Sequence, residues 1–294
     1  MKILLTGYTG FVGQHILKTE PCEIMEDEFG QIPLSQKGRI NKCLKKTCPD
    51  AIIHLAAQSN VAISFQNPRE TFDTNFYGTL NLLECLKDLN FKGKFLFIGS
   101  GDVYGIPKKI PIDENMPLKP RNPYAVSKVA AEALCYQWSK TSDIQIVMTR
   151  SFNHIGTGQS TNFAIASFAQ QIADIKLGKQ KPIIEVGDLD VTRDFTDVRD
   201  VVQSYLLLLK YGMNGEVYNV CSGREVMLKD ALYLLSKSAK IEIEVKSDTG
   251  KFRVNEQKRS CGSYNKLHTI SGWSPKIDLA QSLEDILKYN LVKK

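Results

Sequence analysis

A tyrosine and a lysine stand four residues apart in the segment 123–128, PYAVSK. At that spacing Tyr124 and Lys128 lie on one face of a helix. A phenol with an ordinary pKa near 10 is a poor acid or base at neutral pH, and a neighbouring ammonium lowers that pKa. The pair could therefore exchange a proton with an oxygen atom of a substrate. Taken alone, the same pair is better explained as two neighbours on a helix surface.

Ser100 follows an almost continuous apolar run, residues 94–99, which is typical of a strand buried on both faces of a parallel sheet. Ligands of open parallel sheets bind at the carboxyl ends of the strands, so the Ser100 hydroxyl could hydrogen-bond a reacting carbonyl there. Asp102 comes two residues later. Its carboxylate could move a proton, or it could be a turn residue that accepts local backbone hydrogen bonds.

Three glycines, Gly7, Gly10 and Gly13, stand in the segment 6–13, TGYTGFVG. They follow an apolar N-terminal segment and precede a segment with helical periodicity. Glycines at a strand-to-helix junction permit a tight turn and a close approach of the backbone to phosphate, which the free N–H groups of the helix then bind. The placement predicts a cradle for the pyrophosphate of a dinucleotide.

Glu26 lies 19 residues after Gly7, close to where an acidic side chain binds the ribose hydroxyls of NAD. No arginine or lysine occurs between Lys18 and Lys37 that could bind a 2′-phosphate. The cofactor is therefore expected to be NAD(H) or NADP(H), with NAD slightly favoured. The alternative is that Glu26 belongs to a solvated acidic turn.

Short β-branched segments alternate with helical periodicity through the first half of the chain. We predict strands at 2–6, 23–25, 51–55, 94–99 and 144–149 and helices at 11–18, 71–88 and 124–140. This alternation indicates an α/β fold, a doubly wound parallel sheet with helices on both faces. After residue 150 the alternation loosens, and helices are expected at 162–178, 198–211, 227–238 and 279–291. We expect a smaller C-terminal α/β lobe there, with segments that return to the sheet.

Composition excludes several classes of protein. Hydrophobic residues at 43% and charged residues at 24% are typical of a globular protein. The net charge of +6 is spread along the chain, which argues against nucleic-acid binding. No apolar run approaches the roughly 20 residues that cross a membrane. The apolar N-terminal segment is too short for a signal peptide. The seven cysteines form no close pairs, which predicts reduced thiols and a cytoplasmic protein. The four histidines do not cluster, so no metal site is expected.

Four motifs together resemble the extended short-chain dehydrogenase/reductases that modify nucleotide sugars, the NAD-dependent epimerase/dehydratase family. They are TGYTGFVG at 6–13, HLAA at 54–57, GSGDVYG at 99–105 and YAVSK at 124–128. Later segments extend the resemblance over essentially the whole chain. The runs 152–160, FNHIGTGQS, and 187–202, GDLDVTRDFTDVRDVV, look most like the GDP-4-keto-6-deoxymannose reductases of that family.

The resemblance implies a Rossmann-type domain at residues 1–150 that binds NAD(P). Residues 151–294 would mainly form the lobe that binds a nucleoside-diphosphate sugar. Ser100 and Tyr124 would hold the C4 oxygen of the sugar, and Lys128 would also hold the nicotinamide ribose. The implied substrate ligands are Asn153, Arg193 and Arg253, although Val254 replaces the proline that usually follows that arginine. The implied cofactor contacts are Gly7, Thr9, Gly10, Phe11, Val12, Gly13, Glu26, Leu55, Ala56, Ala57 and Lys128.

The resemblance also implies a homodimer formed through helices 71–88 and 124–140. Reduction of a GDP-4-keto-6-deoxyhexose is the leading activity, with 4-epimerase, 4,6-dehydratase and C4 dehydrogenase as alternatives. In the dehydratases a glutamate stands where this chain has Asp102, whose side chain is one methylene shorter. A sensor that binds dinucleotide without catalysis ranks lowest, because such proteins tend to lose the Tyr-Lys pair.

Overall fold

A computed structural model describes residues 1–19, 32–248, 250 and 257–292, together with the backbone of residues 23–25. The strands are β1 (Lys2–Thr6), β2 (Glu23–Met25), β3 (Ala51–His54), β4 (Lys94–Ser100), β5 (Gln145–Ser151), β6 (Asn153–Ile155), β7 (Ile183–Val186), β8 (Thr192–Asp197), β9 (Val217–Val220), β10 (Glu225–Met227) and β11 (Glu244–Ser247). The helices are α1 (Phe11–Ile16), α2 (Lys37–Thr47), α3 (Val61–Gln66), α4 (Pro68–Phe72), α5 (Gly78–Asp88), α6 (Pro123–Thr141), α7 (Ala164–Lys176), α8 (Val198–Tyr211), α9 (Leu228–Ala239), α10 (Asn265–Ser271) and α11 (Leu279–Val292).

Within the described residues, six parallel strands form the central sheet in the order β2-β1-β3-β4-β5-β9. Helices α2, α5 and α6 bury apolar side chains against one face of this sheet. Helices α1, α8 and α10 cover the other face. The predicted doubly wound parallel sheet is confirmed.

Helices α3 and α4 pack against α6, and the remaining strands form a smaller α/β layer with α7, α9 and α11. Strands β10, β8 and β6 make one sheet, and β11 pairs with β7 in another. Helices α7, α9 and α11 share a separate apolar core with these strands. Strand β6 follows β5 after a single residue, so this layer starts at the carboxyl end of the central sheet.

Two local predictions need correction. The helix expected at 71–88 begins earlier, because Pro68 occupies its first turn, where a missing N–H costs no hydrogen bond. It also contains a π-helical turn, Asp73–Tyr77, between α4 and α5. Helix α2 was not predicted from the sequence, because its lysine-rich segment buries only a narrow stripe of side chains: Ile40, Cys43, Leu44 and Thr47.

A buried ion pair joins α6 to β5. The Nη2 and Nε atoms of Arg150 donate to the two carboxylate oxygens of Glu132 at 2.6 and 3.0 Å. The two side chains are only 7% and 10% exposed. The Nη1 atom of Arg150 donates to the Tyr104 hydroxyl at 2.9 Å and to the Glu114 carbonyl oxygen at 3.0 Å. The guanidinium of Arg150 thus holds the turn after β4 against both α6 and β5.

None of the helices in the described part of the chain combines the length and the apolar character that a membrane crossing requires.

Candidate functional site

The parallel strands bring the candidate residues to one edge of the sheet. Because β1, β3, β4 and β5 run in the same direction, their carboxyl ends lie side by side. Gly7 follows β1, Leu55 follows β3, Ser100 ends β4 and Asn153 begins β6 just after β5. This is the edge where ligands of open α/β sheets bind.

The glycine turn at this edge is built without room for side chains. Gly7 has a φ angle of +72°, and a Cβ atom on it would lie 2.9 Å from the Cα and N atoms of Ala56. The Gly10 amide donates to the Gly7 carbonyl oxygen at 3.0 Å, which closes the turn directly before α1. The first amides of α1, from Phe11 onward, have no acceptor within the helix and can bind phosphate. The turn therefore fits the pyrophosphate of a dinucleotide.

Most of the other residues predicted to contact the cofactor lie around that turn. Thr9 and Gly10 are exposed at its tip, whereas Phe11 and Val12 are half-buried at the start of α1. The half-buried residues Leu55, Ala56 and Ala57 follow β3 on the adjacent strand. Glu26, which was predicted to bind the ribose, lies outside the described residues.

Substituting Gly13 with alanine should weaken cofactor binding about tenfold or more. A Cβ atom there would lie 2.5 Å from the Cα atom and 2.6 Å from the carbonyl oxygen of Tyr8, which are backbone atoms of the glycine turn. Relieving this overlap must displace the turn, and overpacking of this kind costs roughly 1–3 kcal/mol. Fluorescence titration of NADH and NADPH would measure the loss. Gly38→Ala is the matched control, since a Cβ at Gly38 meets nothing within 4 Å. Equal affinities of the two variants would contradict the prediction.

Ser100 ends β4 and caps the 3₁₀ turn Gly101–Tyr104, which contains Asp102. The Ser100 Oγ atom accepts a hydrogen bond from the Asp102 amide at 3.2 Å. Because that bond uses a lone pair, the hydroxyl proton of Ser100 stays available for a second acceptor. The turn thus presents a hydroxyl donor at the carboxyl edge of the sheet.

Tyr124 lies in the first turn of α6, where the Asn122 side chain caps the helix by accepting from the Ala125 amide at 2.7 Å. Burial raises the pKa of the Tyr124 phenol above its ordinary value, and the nearby Asp102 carboxylate raises it further. Hydrogen bonding with Ser100 acts in the opposite direction but does not reverse the shift. The lowering of this pKa that was expected from the Tyr-Lys spacing is therefore wrong: the pKa is raised, and burial is the main cause.

Lys128 is one helical turn beyond Tyr124 and only 5% exposed. Its Nζ atom donates to the Ile98 carbonyl oxygen at 2.7 Å and lies 5.0 Å from the centroid of the Phe97 ring. Burial lowers the pKa of the ammonium to about 8. Lys128 is therefore anchored on β4, next to the strand end that carries Ser100.

The two described substrate candidates lie on the smaller α/β layer beside this edge. Asn153 is exposed at the start of β6, and its Cα partner on β8 is Phe195. Arg193 is half-buried on the same strand β8, and its Nη1 atom donates to the carbonyl oxygens of Thr192 and Gln257 at 2.7 and 2.8 Å. These bonds hold one side of the guanidinium against the backbone. Arg253 lies outside the described residues.

The structure adds residues that sequence reasoning missed. Tyr205 of α8 is fully buried and shares a 2.7 Å hydrogen bond with Ser151, the Cα partner of Ser100. Its phenol also contributes to the raised pKa of Tyr124. No motif marks Tyr205, because a tyrosine on the apolar face of a helix usually only fills a core.

Among the residues that the structure describes, no group of three or more histidine, cysteine or acidic side chains could hold a metal ion.

Comparisons with known proteins agree with this arrangement. The sequence model of the family described as GDP-mannose 4,6 dehydratase matches residues 19–286. A GDP-6-deoxy-D-mannose reductase of Pseudomonas aeruginosa is 44% identical over 293 residues, which cover 97% of this chain and 96% of that protein. A GDP-6-deoxy-D-talose 4-dehydrogenase of Aggregatibacter actinomycetemcomitans is 29% identical, with 100% of this chain and 99% of that protein covered.

A solved structure described as RMD from Pseudomonas aeruginosa complexed with NADPH superposes on this fold with a TM-score of 0.94 at 44% identity. The match covers 100% of this chain and 99% of that one. The Rossmann-type fold predicted from the motifs is therefore confirmed, and so is a cofactor of the NAD(P)(H) type.

Proposed function

This chain belongs to the GDP-mannose 4,6-dehydratase family, and we propose that it reduces the C4 carbonyl of a GDP-4-keto-6-deoxyhexose with NADH or NADPH. It is an NAD(P)-dependent enzyme of the short-chain dehydrogenase/reductase type. The similarity to the Pseudomonas aeruginosa reductase supports the reductase over the other activities of the family. The hydrogen bond between the Tyr124 phenol and the Ser100 hydroxyl, at the carboxyl edge of the sheet, is the structural observation that carries this assignment.

Reduction of a ketone needs a hydride at carbon and a proton at oxygen. The reduced nicotinamide, when bound, supplies the hydride. Tyr124 gives its phenolic proton to the C4 oxygen, because a neutral phenol is an acid in the form required for this direction. The Ser100 hydroxyl donates a hydrogen bond to the same oxygen and holds it in place. The Lys128 ammonium stabilises the phenolate left behind, since an opposite charge nearby favours the ionised form.

In this proposal the N-terminal part of the chain binds the cofactor and the C-terminal part binds the nucleotide sugar. Residues 1–150 would hold the cofactor through the glycine turn, the 55–57 segment and Lys128, with Glu26 on the ribose. Residues 151–294 would mainly hold the nucleotide sugar, although β9 returns from this part to the central sheet. Asn153, Arg193 and Arg253 would bind the substrate, and a guanidinium fork suits its phosphates.

A coupled optical assay tests the activity directly. GDP-4-keto-6-deoxymannose made in situ is mixed with purified protein and either NADH or NADPH, and the loss of reduced nicotinamide is followed. We expect steady loss of absorbance with a reduced deoxyhexose as product, and the faster cofactor identifies the physiological one. GDP-mannose, which carries no 4-keto group, is the matched control and should cause no loss. No turnover with either cofactor would contradict the reductase, and a sugar product without net cofactor change would indicate an epimerase or dehydratase.

We also propose that the enzyme acts in the cytoplasm as a homodimer. Scattered cysteines without predicted disulfides support that compartment. Three large side chains of the proposed dimer helices are exposed: Tyr77 by 53%, Val126 by 41% and Tyr136 by 53%. Covering such apolar surface would stabilise a pair of chains. Light scattering should give twice the mass of one chain, and the mass of a single chain would contradict the dimer.

A further inference from the structure

His54 ends β3 directly below the glycine turn and is only 2% exposed. Its Nδ1 atom lies 2.7 Å from the Thr6 hydroxyl, and its Nε2 atom lies 3.0 Å from the Thr79 hydroxyl. Both ring nitrogens are therefore hydrogen-bonded inside the core.

The neighbouring hydrogen bonds fix the direction of this chain of contacts. The Thr79 hydroxyl donates its only proton to the Asn75 carbonyl oxygen at 2.7 Å, so it must accept from His54. The ring therefore carries its proton on Nε2. A neutral ring then accepts at Nδ1 from the Thr6 hydroxyl, and the Thr6 oxygen accepts from the Ala56 amide at 3.2 Å.

Burial, together with the smaller effect of the Lys128 charge, lowers the pKa of His54 to about 3. The ring is consequently neutral at every physiological pH. This agrees with the hydrogen-bond directions, which also require a neutral ring with one proton.

One end of this series of hydrogen bonds, at Thr6, lies in the cofactor cradle. Thr6 directly precedes Gly7, and the Ala56 amide that it accepts from belongs to the residue against which Gly7 packs. The Thr6 hydroxyl therefore sets the separation of the two backbone segments that form the floor of the glycine turn.

The other end supports the catalytic helix. Asn75 lies in the π-helical turn and is 1% exposed. Its Nδ2 atom donates to the Ser127 hydroxyl at 2.9 Å and to the Gln58 carbonyl oxygen at 3.0 Å. The Ser127 hydroxyl in turn donates to the Tyr124 carbonyl oxygen at 2.7 Å. Hydrogen bonds and one buried asparagine thus link the cofactor turn to the residue that carries the reacting phenol.

We propose that His54, as the neutral Nε2–H tautomer, is a positioning residue that couples the glycine turn to the π-helical turn supporting Tyr124. It touches neither reacting group and acts through Thr6 on one side and through Thr79 and Asn75 on the other. This inference rests on the proposed function, since it assigns the glycine turn to the cofactor and Tyr124 to catalysis.

Paired substitutions of the two threonines test the coupling. Valine removes the hydroxyl at nearly constant side-chain volume, whereas serine keeps the hydroxyl and loses only the methyl group. We expect Thr6→Val to raise the Kd of reduced cofactor about tenfold, because a buried donor and acceptor lose their partner. We expect Thr79→Val to lower kcat about tenfold with a smaller change in that Kd. Thr6→Ser and Thr79→Ser should restore the affected constant to within about threefold of wild type.

A purely structural role gives a different result. Valine variants that lose thermal stability but keep the wild-type Kd and kcat in their folded form would overturn the proposal, as would serine variants that fail to rescue. A wild-type protein that binds reduced cofactor but does not turn over the sugar would contradict the proposed function instead, and the Thr6 comparison of Kd would still decide the coupling to the glycine turn.

Nitrogen NMR of protein labelled in its histidines adds a readout that needs no substitution at Thr6 or Thr79. The His54 signals, assigned by their loss in His54→Gln, should show a proton on Nε2 and stay unchanged between about pH 5.5 and 8.5. A proton on Nδ1, or titration near the ordinary histidine pKa, would overturn the assignment.

Discussion

Replacing Tyr124 with phenylalanine should lower kcat for the 4-keto sugar by about a factor of 10² to 10⁴, which is the usual contribution of a positioned acid. The phenyl ring keeps the packing of the first turn of α6 but has no proton to give to the C4 oxygen. Binding of reduced cofactor should change little, because the Lys128 anchor on Ile98 and the glycine turn remain. Steady-state kinetics together with a fluorescence titration of NADPH would separate the two effects.

Tyr136→Phe is the matched control for that loss. Tyr136 belongs to the same helix, but its side chain is 53% exposed on the outer face, so its hydroxyl should not affect catalysis. A Tyr124→Phe enzyme with wild-type kcat would exclude Tyr124 as the acid. A variant that no longer binds cofactor would mean that the substitution had disturbed the fold of the site.

The raised pKa of Tyr124 also predicts how reduction depends on pH. A group whose pKa is raised keeps its proton to higher pH, so the phenol stays an acid through the neutral and mildly alkaline range. Burial has the opposite effect on Lys128, because it lowers the pKa of that ammonium to about 8. We therefore expect any alkaline decline of kcat/KM, which reports the groups of the free enzyme, to follow Lys128 and to be centred near pH 8, and not to follow Tyr124. A decline centred below pH 7 would contradict this order.

Arg150→Met should destabilise the protein by about 3–5 kcal/mol, because it leaves the Glu132 carboxylate buried without its partner. The same change removes the donor to Tyr104, in the turn that follows Ser100. For a protein of this size such a loss lowers the melting temperature by roughly 10 °C. Calorimetry or thermal unfolding followed by circular dichroism would measure the shift.

Lys288→Met removes an ion pair of another kind and serves as the comparison. Lys288 and Glu284 are one turn apart on α11, with side chains 65% and 46% exposed, so solvent screens their attraction. This variant should melt within about 2 °C of wild type. Equal shifts for Arg150→Met and Lys288→Met would show that the buried pair is not a significant contributor to stability.

The sequence was informative wherever local chemistry decides structure. Strand β1 and helix α8 have the predicted bounds, because an apolar run and a clear 3.6-residue periodicity specify them without help from distant residues. The position of Ser100 could be predicted because parallel strands end at a common edge, where a residue at the end of a strand must lie. Tyr124 and Lys128 could be placed on one face of a helix from their spacing of four residues.

The remainder depends on contacts between segments far apart in the chain. The π-helical turn arises where Asn75 reaches Gln58 and Ser127, which are 17 and 52 residues away. The direction of the Tyr124 pKa shift could not be obtained from the Tyr-Lys spacing, because it depends on how deeply the phenol is buried. Similarly, neither Tyr205 nor the hydrogen bonds of His54 could be assigned before their partners were placed in space.

Strand β9 determines whether the two parts of the chain can be separated or exchanged. It comes from the second half of the chain yet pairs with β5 and completes the central sheet at that side. A fragment that stopped at residue 150 would leave β5 as an open edge, and unpaired backbone N–H and C=O groups at such an edge recruit strands from other molecules. The smaller α/β layer is therefore divided in the chain by β9: β6, α7, β7 and β8 precede that strand, whereas β10, α9, β11 and α11 follow it. Exchanging the layer between relatives to change sugar specificity would require grafting at three or more junctions, among them before β6, after β8 and after β9, rather than a single cut.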